Sequence, residues 1–428
     1  MTSSKDDFIN STIKTSIKEN TTTQIEFIST HTEIFTTLDS TSKISSNTET
    51  LISSSNTQTN PITLPYDYVG LVFNLSTDNL DTITDVSALV LLRDNLFACS
   101  KDRTIFLADY VSGVIKFAER AHRDETKALV AFNNKTIFAS GSFDKTIKIW
   151  NATSGNCLFT FNSSNGGHDD KVVYLTTLGD DLLVSGTLSD KSLKIWNVSL
   201  GSLVFTLNNL DIMQALVSLE NFNVNLFATS SMTDIKIWNA STGILTRVLK
   251  TGNSFLNAKS LSTIKNQNNL LACGLLNGNI LFWNLSSGLL EFELNGHTSQ
   301  VNFLISLENN LLASGSWDGS IRVWNLTSGQ NKFVFNKNNG GNSGLITALT
   351  SLEYNLLAST GLGDYDIRIW DLSLGLLKHR FNKSIGGHCQ GINVLTSLGN
   401  NMLASGAIRG QWAFLGPLDG LVKIWHVI

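Results

Sequence analysis

Four stretches of this chain place a histidine, a serine, an aspartate and a tryptophan in the same order, with His 17 or 18 residues before Ser and Asp 6 before Trp. They are His122, Ser140, Asp144 and Trp150; His168, Ser185, Asp190 and Trp196; His297, Ser314, Asp318 and Trp324; and His388, Ser405, Asp419 and Trp425. A serine beside a histidine that a carboxylate orients is the equipment of a hydrolase, in which the imidazole takes the serine proton. An enzyme needs that site once, and here the set recurs. Repetition favours a framework role, since a buried network whose donors and acceptors are all satisfied fixes local geometry. The sequence shows no nucleotide-binding loop and no CxxC spacing for zinc, so neither cofactor nor metal is expected.

The elements that must position these residues are legible from Leu311 to Gly329, LLASGSWDGSIRVWNLTSG. Two short apolar runs, Leu311–Ser314 and Ile321–Trp324, flank the turn Ser316–Trp317–Asp318–Gly319, and Ile321 and Val323 alternate with Ser320 and Arg322. That period of two is a half-buried strand, and a lone hairpin of this kind is marginal in water. Close copies run from Ala139 to Gly155, Val184 to Gly201 and Ala358 to Gly375, with looser ones from Ala228, Ala272 and Ala98. The anchors Ala108, Trp150, Trp196, Trp238, Trp283, Trp324, Trp370 and Trp425 stand 42, 46, 42, 45, 41, 46 and 55 residues apart.

With this period and the W-N/W-D endings, the chain from about residue 66 to 428 resembles the WD-repeat family. The resemblance implies an all-β propeller of four-stranded blades. The anchors count eight blades, with seven as the alternative. It also implies that within each set Asp holds His, His meets Ser, and Ser meets the Trp N–H, for stability and not for catalysis. Blades 1, 4, 5 and 7 depart from the pattern: blade 1 lacks Trp and His, blade 4 is read as lacking both His and the turn Asp, blade 5 has Asn277 in its turn, and blade 7 has Asn342 for His. A lone strand, Val69–Leu75, precedes a complete first blade, while the last blade stops after its third strand. The lone strand is therefore expected to complete the last blade and close the ring, leaving no open edge at the seam.

Composition separates residues 1–60 from the rest. Ser and Thr fill 27 of those 60 positions and the apolar residues are isolated, so a disordered tail is expected there. The remainder has a globular balance, with 42% apolar and 15% charged residues over the whole chain. The net charge of −4, with no basic block, argues against nucleic-acid binding. No apolar run approaches the ~18–20 residues of a membrane span, and no secretory signal is readable. Cys99, Cys157, Cys273 and Cys389 are too few and too scattered for a disulfide framework, which with the missing signal leads us to expect a cytoplasmic protein. The N-x-S/T pattern at Asn151, Asn197, Asn239, Asn284 and Asn325 reads as turn chemistry copied with the repeat.

Function is expected at the turn between second and third strands. Its tips are Phe143, Leu188, Met232, Leu276, Trp317 and Tyr365. Aromatic tips are either interface anchors or rings folded back onto neighbouring blades, and Phe143, Trp317 and Tyr365 are candidate partner contacts. The last blade carries an insertion, Ala407 to Leu418, with Arg409, Trp412 and Phe414. It reads as a binding loop or as a retained non-coding piece. The expected function is a non-catalytic scaffold or adaptor that binds a protein or peptide on one propeller face, as a monomeric propeller within a larger complex. The alternatives are a substrate receptor of a ubiquitin ligase, for which no F-box-like helical pattern is found, and a hydrolase using one Ser/His/Asp set.

Overall fold

In the computed structural model the described residues are 26–28, 51–53, 69–75, 85–208, 211–223, 225–250, 256–407 and 422–428. Each sequence repeat becomes antiparallel strands because apolar and polar side chains alternate along it, and the sheets they build number eight, each of four strands. Blades 1 to 7 span Val86–Leu91 to Ile115–Arg120, Thr126–Ala131 to Cys157–Phe161, Val172–Leu178 to Ser202–Leu207, Ala215–Ser218 to Ile244–Leu249, Ala258–Ile264 to Leu290–Leu294, Val301–Ser306 to Gln330–Phe335, and Ile346–Leu352 to Leu376–Phe381. Blade 8 has Ile392–Gly399, Met402–Ala407 and Val422–His426 as its first three strands. Its fourth is Gly70–Leu75, which pairs antiparallel with Val422–His426 from Gly70 opposite His426 to Leu75 opposite Val422. The ring is thus closed by hydrogen bonds between residues far apart in the chain, as the sequence led us to expect.

Burial follows strand position. Second strands are sandwiched between sheets on both faces, so Leu311–Ser316 and Leu356–Gly361 are buried at every residue. Third strands bury their isoleucines and tryptophan and leave the residues between half-exposed, as in Ile147–Asn151 and Leu193–Asn197. Fourth strands form the rim, and Ser202–Leu207 alternates exposed and half-buried positions.

The core is a set of clusters, one between each pair of successive blades. Each anchor fills the interface with the preceding blade: Trp150 packs with Leu96, Ile105 and Leu107 of blade 1, and Trp196 with Ile147, Ile149 and Phe161 of blade 2. Phe161, Phe335 and Phe381 end their fourth strands and stack on Trp196, Trp370 and Trp425 of the next blade. Between blades 8 and 1 the anchor position is Ala108, and Phe73, Phe97, Phe106 and Tyr110 supply the volume.

A second contact joins the blades at the rim. Phe73, Phe117, Phe159 and Phe205 of successive fourth strands lie against Gly113, Gly155, Gly201 and Gly243 in the third-to-fourth-strand turn of the following blade. At Gly113 φ is +70°, and an added Cβ would stand 2.4 Å from the Phe73 ring. The T-S-G ending is therefore glycine for two reasons, the left-handed backbone and the ring beside it.

Within residues 1–60 the described residues are Glu26–Ile28 and Leu51–Ser53, which pair antiparallel in a three-pair ladder. Glu26–Ile28 (EFI) and Leu51–Ser53 (LIS) each carry β-favouring apolar residues within the Ser/Thr-rich stretch. The rest of that stretch lies outside the described residues.

Candidate functional site

Two constellations recur around the ring, one buried and one exposed. The buried one assembles in blades 2 and 6 from all four residue types. In blade 2, Trp150 Nε1 donates to Ser140 Oγ at 2.9 Å, Ser140 Oγ lies 2.8 Å from His122 Nε2, and His122 Nδ1 lies 3.0 Å from Asp144. In blade 6 the corresponding distances are 2.8 Å for Trp324 to Ser314, 2.7 Å for Ser314 to His297 and 2.9 Å for His297 to Asp318. A single direction of donation satisfies the chain: indole N–H to hydroxyl, hydroxyl to Nε2, and Nδ1–H to carboxylate. Burial would push the Asp144 and Asp318 carboxyls up. Hydrogen bonds from His122 and Thr146, and from His297 and Ser320, overcome it and hold both well below the usual carboxylate range.

Blade 3 is looser. His168 Nε2 lies 2.7 Å from Ser185 Oγ, and Trp196 donates to the same oxygen at 2.9 Å. Asp190 stands 3.7 Å from His168 Nδ1, which departs from the expected hydrogen bond. Its carboxylate instead accepts from the Thr187 hydroxyl and the Ser192 N–H, in a turn one residue longer than that of blade 6. Burial holds the His168 imidazole below its ordinary pKa, against the opposing pull of Asp190. In blade 8, Ser405 joins His388 at 2.7 Å and Trp425 at 2.8 Å. Asp419, with Arg409, Trp412 and Phe414 of the insertion, lies outside the described residues.

The serines Ser140, Ser185, Ser314 and Ser405 are each 0% exposed, and each hydroxyl is already engaged by a tryptophan and a histidine. A hydrolytic serine must meet a substrate carbonyl beside oxyanion donors, and these four face protein on every side.

The departing blades show what the network tolerates. In blade 4, Trp238 donates to Thr229 at 3.0 Å, and the turn holds Asp234, bonded to Ser231. The expectation of no aspartate there is corrected; a turn spaced differently from blade 6 had hidden it. In blade 7, Asn342 turns its amide oxygen to Arg368 Nη1 and Gly361 N, both at 2.9 Å, beside Ser359, which receives Trp370 at 2.9 Å. Buried Arg368 pairs with Asp364 at 2.8 Å and bonds the Gly340 carbonyl at 2.9 Å. In blade 8 buried Lys423 bonds the carbonyls of Gly386 and Gly387 at 2.7 and 2.9 Å. The sequence reading missed both cations; the F-N-x-x-x-G-G loops that end at Gly341 and Gly387 were the available signal. In blade 5, Cys273 holds the serine position, and the Trp283 N–H is buried without an acceptor.

The exposed constellation is the turn between second and third strands. The tip N–H in blades 2, 3, 5, 6 and 7 donates to a carbonyl at the start of the same blade's first strand. The pairs are Phe143 to Glu125, Leu188 to Lys171, Leu276 to Asn257, Trp317 to Gln300 and Leu362 to Leu345, at 2.8–3.1 Å. These tips therefore share one position and one face, beside the histidine-bearing loops. Leu362, not Tyr365, is the blade 7 tip, because Gly363 and Asp364 lengthen that turn; Tyr365 is exposed three residues beyond, at φ +58°. Phe143 is half-buried: Lys127 and Lys171 place their ammonium groups 5.2 and 4.4 Å from its ring centroid. Leu188, Met232, Leu276, Trp317 and Leu362, from blades 3 to 7, are 41–48% exposed.

The WD40 family (WD domain, G-beta repeat) matches residues 117–151, 155–197 and 288–325. Each matched segment begins in or just before the fourth strand of one blade and ends with the third strand of the next, so together they contain the first three strands of blades 2, 3 and 6. The chain is a WD-repeat propeller. Among solved structures, a computationally designed protein, Ika8, is similar at 26% identity and TM-score 0.66, covering 81% of this chain and 97% of that one. The structure titled U3-55K is similar at 18% identity and TM-score 0.54, covering 83% and 98%, a likeness of fold alone. No curated protein matches. WD-repeat propellers are typically non-catalytic scaffolds, and no helix among the described residues is long and apolar enough to cross a membrane.

Proposed function

We propose that this propeller is a protein-interaction scaffold whose partner docks on the face formed by the second-to-third-strand turns. The observation that carries the reading is the run of exposed apolar residues, Leu188, Met232, Leu276, Trp317 and Leu362, in the second-to-third-strand turns of five consecutive blades. Scattered exposed apolar residues need no explanation, whereas an ordered series on a rigid scaffold marks a binding surface. Turns are polar by default, so five apolar tips are not what turn formation selects. The buried tetrads serve this role indirectly by fixing the loops beside the tips.

The test is affinity purification with mass spectrometry, comparing wild type with a Leu188→Ser/Leu276→Ser/Trp317→Ala variant whose melting matches wild type. Loss of a defined set of proteins is expected. An unchanged set places the binding surface elsewhere.

A further inference from the structure

One tip already holds a cation, supplied by the chain itself. Phe143 in blade 2 lies beneath Lys127 and Lys171. Lys127 is the bulge residue of blade 2's first strand, and Lys171 is the residue of blade 3 whose carbonyl holds that blade's tip, Leu188. The matching places around Trp317 in blade 6 are Asn302, the bulge residue of its first strand, and Leu345, whose carbonyl holds Leu362. Neither carries a charge. Trp317 is 45% exposed, and among the described residues no lysine or arginine stands over its ring. Indole attracts a cation more strongly than phenyl does. The same scaffold position thus carries the better receptor with the chain's own cations removed. Asp318 and Asp364 in the two turns concerned are already taken up by His297 and Arg368, and exposed Tyr365 adds a second ring to the face.

We infer that the partner presents a basic segment to this face, seating one lysine or arginine head on Trp317 and its apolar neighbours on Leu276 and Leu362. The inference rests on the proposed interaction face and adds the chemistry of what binds there. An anionic partner would leave the ring without its complement.

The experiment pans a displayed random peptide library against the full-length chain. Dissociation constants of the enriched peptides are then measured by fluorescence anisotropy, as selected and with each Lys or Arg replaced by norleucine or citrulline. Enrichment of Lys or Arg beside an apolar residue is expected, with about tenfold weaker binding once the cation is neutralised. Trp317→Leu keeps the apolar bulk and removes the ring. It should weaken the charged peptide by a similar factor and erase the difference between charged and neutral peptides. Asn302→Lys/Leu345→Lys should cover the ring as Phe143 is covered, and weaken the peptide with melting unchanged. Equal binding by Trp317→Leu and wild type overturns the inference. So does enrichment of uncharged peptides that still require Leu276, which leaves the interaction face standing. If no peptide is enriched over the Leu188→Ser/Leu276→Ser/Trp317→Ala variant, the inference and the interaction face fall together.

Discussion

Replacing Cys273 by serine should stabilise the propeller, whereas the same change at Cys99 should destabilise it. Both cysteines are buried at the tetrad serine position, and burial pushes both thiols up, Cys99 to about 12. They differ in what faces them. Blade 5 retains its anchor, and Trp283 Nε1 has no acceptor; blade 1 has Ala108 and no donor to satisfy. In the other anchored blades a serine or threonine oxygen takes that N–H at 2.8–3.0 Å. A buried unpaired donor costs about 1–3 kcal/mol, and a made hydrogen bond contributes a net 0.5–1.5. Against this stands the smaller, more polar serine, whose hydroxyl has the Leu281 carbonyl placed as Arg322 O is to Ser314, at 3.4 Å. The balance for Cys273→Ser is a gain of about 1 kcal/mol. At Cys99 only the polar cost remains, a loss of about 1 kcal/mol. Urea unfolding reads both as midpoint shifts at constant slope, and Cys273→Ala, which leaves the orphan and adds a cavity, should fall below wild type. If Cys273→Ser loses as much as Cys99→Ser, the unpaired indole carries no penalty and the account of the network fails.

Three further outcomes follow from the geometry. Ser314→Ala strips the shared partner from Trp324 and His297 and should destabilise by about 2–3 kcal/mol in urea unfolding; a hydrolytic activity lost at unchanged stability would contradict the framework role. Stability should fall in two stages on acidification. His168 is held below its ordinary pKa by burial, so its contribution is present above about 6.5 and declines as pH falls below that value, where the unfolded chain takes the proton first. The depressed Asp144, Asp190 and Asp318 contribute above about 3.9 and are lost as pH falls further. Melting from pH 8 to 3 checks this, and Asp318→Asn should flatten only the lower stage. At the seam, Phe73→Ala removes the ring that meets Gly113 and should cost about 3 kcal/mol or more. It should also raise amide exchange in Val422–His426 before that in blades 3 to 5; uniform exchange would argue against a seam that opens first.

The repeat announced the propeller because strand period, turn residues and a spaced tryptophan are local signals that eight copies reinforce. The closing strand was legible for the same reason: Val69–Leu75 was one strand too many at one end and one too few at the other. The sequence by itself therefore pointed to eight blades, to the ring closure and to the Ser, His and Trp of the buried networks, while missing Asp234, Arg368 and Lys423. It did not determine how far each network closes. Whether Asp190 reaches His168, or whether Arg368 stands in for a missing histidine, depends on sub-ångström packing between chain segments that no spacing encodes. Nor did it rank the turn tips. Phe143 and Trp317 occupy the same place in their repeats, and only the folded ring brings Lys171 from the next blade over one, while the matching places at the other are Asn302 and Leu345. Exposure is set by neighbours across blade boundaries, and those neighbours are chosen by the tertiary structure.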